Sequence, residues 1–500
     1  MIVPGISRRL FVSGLIAGVA APALAEAPLR SLRPVPRPAV LRGAAGRGFA
    51  GPPPQALIEA ARLGGKTAVA LADLETGEMI ESIGATDALP PASTAKAITA
   101  LYALEALGPG HRFATRIIAT APPVDGVIRG DLVLAGGGDP TLTTDELADL
   151  AAAVRAQGIT GITGRFLCWG GALPSVDQID GTQPEHVGYN PAVSGLNLNF
   201  NRLYFGWKRS GSGYQIAVDA RGRRHAPLVA MARVTLADRA APIFDHRIRA
   251  GIEEWSVARP ALGAEGGRWL PVRQPEYYAA DVFRTLARAQ GLTLPEPEVS
   301  DRVPAGAVVA ATESAPLAAI LTDMLKHSTN ITAEAVGMAA TVQLGPIERH
   351  AQSGRAMSSW MTERIGGGRP RFVDHSGLGG ASRVTPQEMI AALVMLGPGA
   401  GLADILKPVK LRDAQGRALK SGAGGIRAKT GTLNFVSTLA GYVTGPGGRP
   451  MAFAILSGDV ARRDALPLEQ RERPPGGRAW LGRARGLQNA LLARWAGVRV

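Results

Sequence analysis

Cysteine is almost absent from this sequence of 500 residues, and Cys168 is its single example. An intramolecular disulfide is therefore excluded, and a lone cysteine in an apolar stretch is typical of a small buried hydrophobe rather than of a catalytic thiol. Aromatic residues amount to only 5%, and zinc-finger, RNP and helix-turn-helix patterns are missing. These absences argue against nucleic-acid binding in spite of the net charge of +14, which suits an anionic cell envelope.

Metal-binding patterns are missing as well. The seven histidines show no His-x-x-x-His or His-Glu-x-x-His spacing, so a zinc peptidase of that type is not supported. We therefore expect neither a metal nor an organic cofactor.

The apolar run at the N-terminus, Leu10–Leu24, is too short for a transmembrane helix, which needs about 20 residues. Arg8 and Arg9 precede the run, and Ala23-Leu24-Ala25 supplies the small-x-small pattern of a signal-peptidase site. We therefore predict a cleavable signal peptide over residues 1–25, followed by a basic Pro/Gly-rich lead over 26–55. The arginine pair fits a twin-arginine signal and an ordinary Sec signal equally well, and either one predicts a periplasmic protein.

A serine and a lysine stand three positions apart, at Ser93 and Lys96, before an apolar run over residues 97–107. The run predicts a helix that ends at Gly108-Pro109-Gly110. Positions i and i+3 of a helix lie on one face about 5–6 Å apart, so the hydroxyl and the amine are expected to be neighbours. Taken alone, the pattern also fits a capping serine followed by a solvated lysine.

Lysine is scarce in this chain, because only eight of its 55 basic residues are lysines and the others are arginines. Two of the eight, Lys96 and Lys429, stand in short motifs. Arginine cannot lose its proton in a protein, whereas a desolvated lysine can become neutral and act as a base. The choice of lysine at these two positions therefore indicates chemistry.

Three motifs occur in the order Ser93-x-x-Lys96, Ser328-Thr329-Asn330 and Lys429-Thr430-Gly431-Thr432. Their order is that of penicillin-binding proteins and serine β-lactamases, which the sequence resembles. The first two motifs are 235 positions apart, far more than in a β-lactamase. With this spacing, and with an Asp374-x-Ser-Gly-Leu segment, the chain resembles the D-alanyl-D-alanine carboxypeptidase/endopeptidase family S13, the class C low-molecular-mass penicillin-binding proteins.

The resemblance implies an α/β (α+β) fold: a transpeptidase-like domain in which helices flank an antiparallel sheet, with a β-rich insertion between the first two motifs. We expect the peptidase domain over residues 56–110 and 305–500, and the insertion over 111–304. Two strand patterns, Lys66–Asp73 and Met79–Ile83, predict a hairpin before the serine motif.

The resemblance also implies the roles of five catalytic residues. Ser93 would be the acylated nucleophile, and Lys96 the neutral base whose pKa is lowered by burial and by cationic Lys429. Ser328 would relay a proton to the leaving nitrogen, and Asn330 would orient Lys96 and bind the substrate amide. Lys429 would attract the terminal carboxylate of the substrate.

Four further residues are expected to bind substrate. Thr430 and Thr432 offer hydroxyl and backbone groups, and Gly431 lets the peptide lie against the strand. The amides of Ser93 and Thr432 would form the oxyanion hole. Arg383 is a candidate for a second carboxylate contact, and an ordinary surface arginine is the alternative. The family often has an aspartate, which approaches a side-chain amine of the stem, where this chain has Trp169.

The sequence thus predicts an exported serine D-Ala-D-Ala carboxypeptidase that acts on peptidoglycan stem peptides through an acyl-enzyme. We also expect D,D-endopeptidase activity and acylation by β-lactams. Two alternatives stay open: a β-lactamase or esterase of the same superfamily, and a non-catalytic envelope-binding protein.

Overall fold

The computed structural model describes residue 49 and residues 51–413, 415–419 and 425–498. The predicted signal peptide, residues 1–25, and most of the predicted lead, residues 26–55, lie outside the described residues. None of the helices within these ranges has the length and apolar character that a membrane crossing requires.

The described ranges contain these strands in chain order: β1 (Lys66–Asp73), β2 (Met79–Ile83), β3 (Ala114–Ala119), β4 (Pro123–Val124), β5 (Val127–Ile128), β6 (Leu132–Gly136), β7 (Gly161–Ile162), β8 (Phe166–Trp169), β9 (Arg202–Ser210), β10 (Gly213–Asp219), β11 (Ala232–Ala237), β12 (Phe244–Arg249), β13 (Ile252–Ala258), β14 (Glu265–Pro271), β15 (Pro297–Val299), β16 (Ala307–Glu313), β17 (Lys407–Pro408), β18 (Arg427–Leu433), β19 (Val436–Thr444) and β20 (Pro450–Gly458).

The helices are α1 (Pro54–Ala61), α2 (Ala95–Leu107), α3 (Thr144–Ala156), α4 (Pro275–Ala289), α5 (Leu317–His327), α6 (Asn330–Leu344), α7 (His350–Arg364), α8 (Pro386–Met395), α9 (Leu402–Ile405), α10 (Val460–Asp464) and α11 (Gly477–Ala496). Short 3₁₀ turns cover Ala92–Thr94, Arg259–Ala261, Pro446–Gly448 and Leu468–Gln470.

The central sheet has the order β17-β18-β19-β20-β1-β2, and every neighbouring pair is antiparallel. The predicted hairpin is confirmed, since β1 pairs with β2. On its other side β1 pairs with β20, in a register that runs from Lys66 opposite Gly458 to Asp73 opposite Met451. The first and last described strands of the chain, β1 and β20, therefore lie side by side within the central sheet.

Both faces of this sheet are buried, because alternate residues of its inner strands face two different helix layers. In β1, Ala68, Ala70 and Ala72 contact the layer that contains α2, α5, α6, α7 and α8, whereas Val69 and Leu71 contact the layer of α1 and α11. Strands β19 and β20 are buried along almost their whole length, as expected for a sheet that is covered twice. The predicted sheet flanked by helices is confirmed.

The segment between the serine motif and α5 forms several smaller sheets. One has the order β15-β8-β6-β3-β16, and three-stranded sheets join β10-β9-β14, β11-β13-β12 and β4-β5-β7. Helices α3 and α4 pack in the core of this segment through Leu147, Leu150, Val154, Phe283 and Leu286. The segment is thus β-rich as predicted, and it also contains these two helices.

The segment begins and ends at one place on the peptidase elements. Strand β3 pairs with β16, with Ala114 opposite Glu313. Just before and after these strands, the Phe113 amide donates to Ser314 Oγ at 3.0 Å, and the Ser314 amide donates to the Phe113 carbonyl at 2.8 Å. The chain therefore leaves and returns beside helix α2 without separating the serine motif from α5.

Candidate active site

Ser93 lies in the 3₁₀ turn that leads into α2. The preceding residue, Ala92, has a φ of +46°, a left-handed conformation that is uncommon for a residue with a Cβ. Gly377 packs against this turn with a φ of +73°, and a Cβ at Gly377 would collide with the carbonyl oxygen of Ala92. A strained backbone that its surroundings hold in place is common at functional sites.

The ammonium of Lys96 is fully buried and its three hydrogen-bond donors are all used. Nζ donates to Ser93 Oγ at 3.0 Å, to Asn330 Oδ1 at 2.7 Å and to the Ser376 carbonyl at 2.7 Å. Burial lowers the pKa of Lys96 to about 8, although the negative charges of Glu334 and Asp374 oppose this shift. When this amine is neutral, its lone pair can point at the Ser93 hydroxyl.

Ser328 and Asn330 lie where α5 ends and α6 begins. Ser328 adopts a left-handed conformation with a φ of +60°, which ends α5 and turns the chain sharply into α6. The Asn330 amide bridges two parts of the site, because its Oδ1 accepts from Lys96 while its Nδ2 donates to the Tyr189 carbonyl at 2.9 Å. A loop of the inserted segment therefore helps to orient a residue of the second motif.

Lys429 lies on β18 and is almost completely buried. Its Nζ donates to Ser328 Oγ at 2.9 Å and to the Thr430 carbonyl at 2.7 Å. Burial, and then the positive charges of Lys96 and Lys407, lower the pKa of Lys429 to about 6. The positive charge of Lys96 is therefore one cause of the lowered pKa of Lys429, whereas the negative charges of Glu334 and Asp374 favour the protonated form of Lys96.

Strand β18 presents an open edge to the site. The two-residue strand β17 covers only Arg427 and Ala428, and among the described strands none pairs with the remainder of that edge, Lys429–Leu433. Thr430 and Thr432 are exposed there. Gly431 faces the serine turn so closely that a Cβ would lie 2.9 Å from the Ser93 amide nitrogen. A peptide can therefore lie along this edge and reach Ser93.

A cavity of about 950 Å³ opens above these residues. Four motif residues line it: Ser93, Ser328, Asn330 and Thr432. Leu378 and Leu433–Phe435, which adjoin the motifs, also line it. The rest of the lining comes from two regions that were not predicted: Gln183 and Tyr189 of the inserted segment, and several residues between Arg463 and Arg485.

Arg383 is placed differently from the other candidates. Its Nη1 donates to the carbonyls of Gly380 and Ser382, at 2.6 and 2.8 Å, and Arg383 does not line the cavity. The guanidinium that reaches this region belongs to Arg463, which lies against Gly380 and does line the cavity. Trp169 is also absent from the cavity lining, and it packs against the apolar cluster that contains Val133 and Leu167.

A buried acidic residue lies one layer behind Lys96. Glu334 accepts hydrogen bonds from the backbone amides of His375 and Ser376, at 3.0 and 2.8 Å, and it lies 2.7 Å from His350 Nε2. Burial opposes ionisation of Glu334, but the charge and the hydrogen bond of His350 outweigh it and lower the pKa of the carboxyl to about 2. Glu334 thereby fixes the backbone of Ser376, the residue whose carbonyl oxygen accepts from Lys96.

This fold and this arrangement define a serine hydrolase of the penicillin-binding-protein and β-lactamase type. The chain belongs to the D-Ala-D-Ala carboxypeptidase 3 (S13) family, whose model matches residues 55–472. It is therefore a serine-type D-Ala-D-Ala carboxypeptidase by family, as the sequence analysis predicted.

Individual relatives agree with this assignment. A D-alanyl-D-alanine carboxypeptidase of Actinomadura sp. (strain R39) is 27% identical over 466 residues, which covers 85% of each chain. The D-alanyl-D-alanine carboxypeptidase DacB of Haemophilus influenzae is 26% identical over 416 residues, 76% of this chain and 84% of that protein. The crystal structure of penicillin binding protein 4 (dacB) from H. influenzae has the same fold, with a TM-score of 0.70 at 23% identity over 88% of this chain and 99% of that one.

Proposed function

We propose that this protein removes the terminal D-alanine from peptidoglycan stem peptides and that Ser93 carries the acyl group. The observation that supports this most directly is the contact between Lys96 Nζ and Ser93 Oγ at 3.0 Å beneath an open strand edge. In acylation, neutral Lys96 takes the hydroxyl proton as Ser93 Oγ attacks the carbonyl carbon of the penultimate D-alanine. The amides of Ser93 and Thr432 stabilise the oxyanion.

The leaving nitrogen needs a proton when the tetrahedral intermediate collapses. Ser328 Oγ, which Lys429 holds at 2.9 Å, gives its proton to that nitrogen and takes in exchange the proton that Lys96 removed from Ser93, so the C–N bond breaks and free D-alanine departs. A water molecule then attacks the ester: Lys96 takes one of its protons and passes it to the departing Ser93 oxygen, and the remaining hydroxyl group stays on the acyl carbon. Ser93 is regenerated and the shortened stem is released as a carboxylic acid.

Lys429 has a second role at the start of the reaction. Its pKa of about 6 in the free enzyme means that this amine is largely neutral near pH 7. The terminal carboxylate of an arriving stem favours the protonated form of a nearby amine, so substrate binding charges Lys429. The added positive charge disfavours protonated Lys96 and thus promotes the base form beside Ser93.

The open edge of β18 and the size of the cavity also fit a D-Ala cross-link, in which the leaving amine belongs to a second stem. We therefore include D,D-endopeptidase activity in the proposal, with β-lactams as acylating inhibitors. The signal peptide predicted at residues 1–25 and the cell-wall substrate together support a periplasmic location.

Labelling with a fluorescent penicillin, followed by digestion of purified muropeptides, tests this proposal. Wild type should be labelled and should release D-alanine, whereas Ser93→Ala should do neither while it keeps the wild-type melting temperature. Rapid penicillin turnover without muropeptide cleavage would indicate a β-lactamase instead. Absence of both labelling and cleavage by the wild type would indicate a non-catalytic envelope-binding protein.

A further inference from the structure

The far wall of the active-site cavity is built by the last part of the chain. Its basic members are four arginines, Arg463, Arg473, Arg478 and Arg485, which we call the arginine wall. Arg478 and Arg485 lie on one face of α11 with Leu481 between them, because they follow the i, i+3, i+7 spacing of a helix. Trp480 anchors this helix end, since its indole nitrogen donates to the Leu63 carbonyl at 2.7 Å.

The positive charge of this wall is only partly neutralised by the described residues around it. Arg463 has an ion pair with exposed Asp464 at 3.3 Å. Arg473, Arg478 and Arg485 are exposed, and within the described ranges no carboxylate lies at ion-pair distance from any of the three.

Glu472 is the one acidic residue among the described lining residues, and it is already paired. It lies 2.8 Å from His186 and 2.9 Å from Arg268, and its hydrogen bonds with these two residues lower the pKa of its carboxyl to about 2. The wall therefore presents a net positive surface to the cavity. Guanidinium groups in such a surface favour carboxylates and phosphates as ligands.

The position of the wall along β18 indicates which part of a substrate meets it. In the proposed function the terminal carboxylate lies near Lys429, and the cavity lining at the opposite end of β18 is Leu433, Asn434 and Phe435. Four strand residues span about 13 Å, whereas a D-Ala-D-Ala dipeptide spans at most about 7 Å. The substrate residues that precede D-Ala-D-Ala must therefore occupy the cavity next to the arginine wall.

We propose that the arginine wall is an anion subsite that binds the free carboxylates of the stem residues preceding D-Ala-D-Ala, and so selects acidic stems over amidated ones. This inference rests on the proposed function for the direction of the bound stem. A peptide carboxylate is favoured over a phosphate polymer because the wall and Ser93 line one continuous cavity, so that one molecule can occupy both.

The test compares two stem peptides that both end in D-Ala-D-Ala. They are identical except that the preceding carboxyl groups are free in one peptide and amidated in the other. A blocked D-Ala-D-Ala tripeptide without further carboxylates serves as the reference substrate. We expect wild type to have about a tenfold higher kcat/KM for the acidic stem at low salt, falling as ionic strength rises. The variant R473Q/R478Q/R485Q should reduce that ratio to nearly one and leave tripeptide cleavage within about twofold.

The matched control is R288Q/R355Q/R483Q, which removes three exposed arginines that do not line the cavity. It should keep the tenfold ratio, because net charge changes equally but the wall is intact. Equal cleavage of both stems by wild type, or equal loss of the ratio in both triple variants, would overturn the inference.

Binding to Ser93→Ala by calorimetry separates this inference from the proposed function. The acidic stem should bind about tenfold more tightly than the amidated stem even where no turnover occurs, and addition of the three wall substitutions should abolish the difference. If wild type cleaves no D-Ala-D-Ala peptide, the proposed function fails while this binding result still decides the subsite. If substitution of the three arginines weakens binding of a phosphate-containing cell-wall polymer but leaves binding of both stem peptides unchanged, the proposed peptide subsite is wrong.

Discussion

Lys96 depends on a carboxylate that it does not touch. Glu334 fixes the Ser376 peptide unit through its amide, and the carbonyl oxygen of the same residue accepts from Lys96 at 2.7 Å. The negative charge of Glu334 also raises the proton affinity of Lys96, in opposition to burial. His350, His375, Asp374 and Lys96 are the other titratable groups packed around it. We regard Glu334 as a positioning residue.

Glu334→Gln should move the pH dependence of penicillin acylation. Without the carboxylate the pKa of Lys96 falls further, so the acidic limb of the kcat/KM profile should shift to lower pH by roughly one unit. The plateau should also fall, because Ser376 is held less firmly. The profile is measured from pH 4 to 9 as the rate of fluorescent-penicillin labelling.

Glu388→Gln is the control for this shift. Glu388 is another buried carboxylate, but it accepts from the amides of Thr385 and Arg369 at the start of α8. Its substitution should lower stability and leave the limb where it is. A Glu334 variant with a lower plateau and an unmoved limb would show that the residue is merely structural.

Individual site residues differ in how far the sequence can predict them. Ser93, Lys96 and Lys429 stand in motifs whose residue types match their chemistry, and the structure brings them to one place. Glu334 is hidden in what looks like an ordinary helix start after Ser-Thr-Asn. Its inward direction depends on two amides about forty positions away, which no local pattern encodes.

Strand β18 and the serine turn leave no room for a side chain at Gly431. A Cβ there would collide with Thr438 Oγ1 and lie 2.9 Å from the Ser93 amide nitrogen. Gly431→Ala should therefore lower the melting temperature and reduce acylation about 100-fold or more, since it displaces an oxyanion donor. Melting curves and penicillin-labelling rates measure the two effects.

The double variant G431A/T438A separates the two causes. Removal of the Thr438 hydroxyl gives the new methyl group space within the sheet but also removes a buried hydrogen bond to the Pro91 carbonyl, so that part of the lost stability should return. The approach to Ser93 is unchanged, and acylation should stay low. Recovery of acylation together with stability would show that Gly431 serves only the packing of β18 and β19.

Most elements could be predicted where their pattern is local. Strands β1 and β2 have the expected bounds, and α2 begins two residues earlier than its predicted apolar run. Helix α3 was missed, although Thr143 and Glu146 form a capping box that marks its start. The spacing of Thr143 and Glu146 is therefore the local signal from which α3 could have been predicted.

The whole molecule carries the cost of two buried amines. Lys429 has a folded pKa of about 6 against 10.5 for the free side chain, so the unfolded chain binds more protons between these values. This contribution destabilises fully below pH 6 and vanishes as pH rises towards 10.5. Lys429→Met should therefore be more stable than wild type by about 2 kcal/mol or more at pH 7, and inactive.

Urea unfolding at pH 6, 7, 8 and 9.5 measures this difference, which should shrink as pH rises. Lys326→Met removes an exposed lysine and should change the free energy of unfolding by less than about 0.5 kcal/mol at every pH. A constant difference for the Lys429 variant across this range would mean that packing, and not ionisation, is responsible.

The presence of a large insertion could be predicted from the spacing of two motifs, whereas its internal topology could not. Strand β8 lies between β6 and β15 and is parallel to both. Such pairings join segments distant in the chain, and apolar alternation gives each strand a buried face without naming its partner. The arginine wall could not be predicted either, because its arginines do not form a sequence motif in this arginine-rich chain and come together only in the folded structure.

The pairing of β1 with β20 has a consequence for the newly made chain. Strand β1 pairs with a strand almost four hundred residues later in the chain, and Lys429 is also synthesised long after Ser93. Contacts of such large sequence separation form slowly and only after the intervening chain exists. A ribosome-bound chain that still lacks β20 and Lys429 therefore has no assembled catalytic centre, and hydrolytic activity can begin only once synthesis has delivered these C-terminal strands.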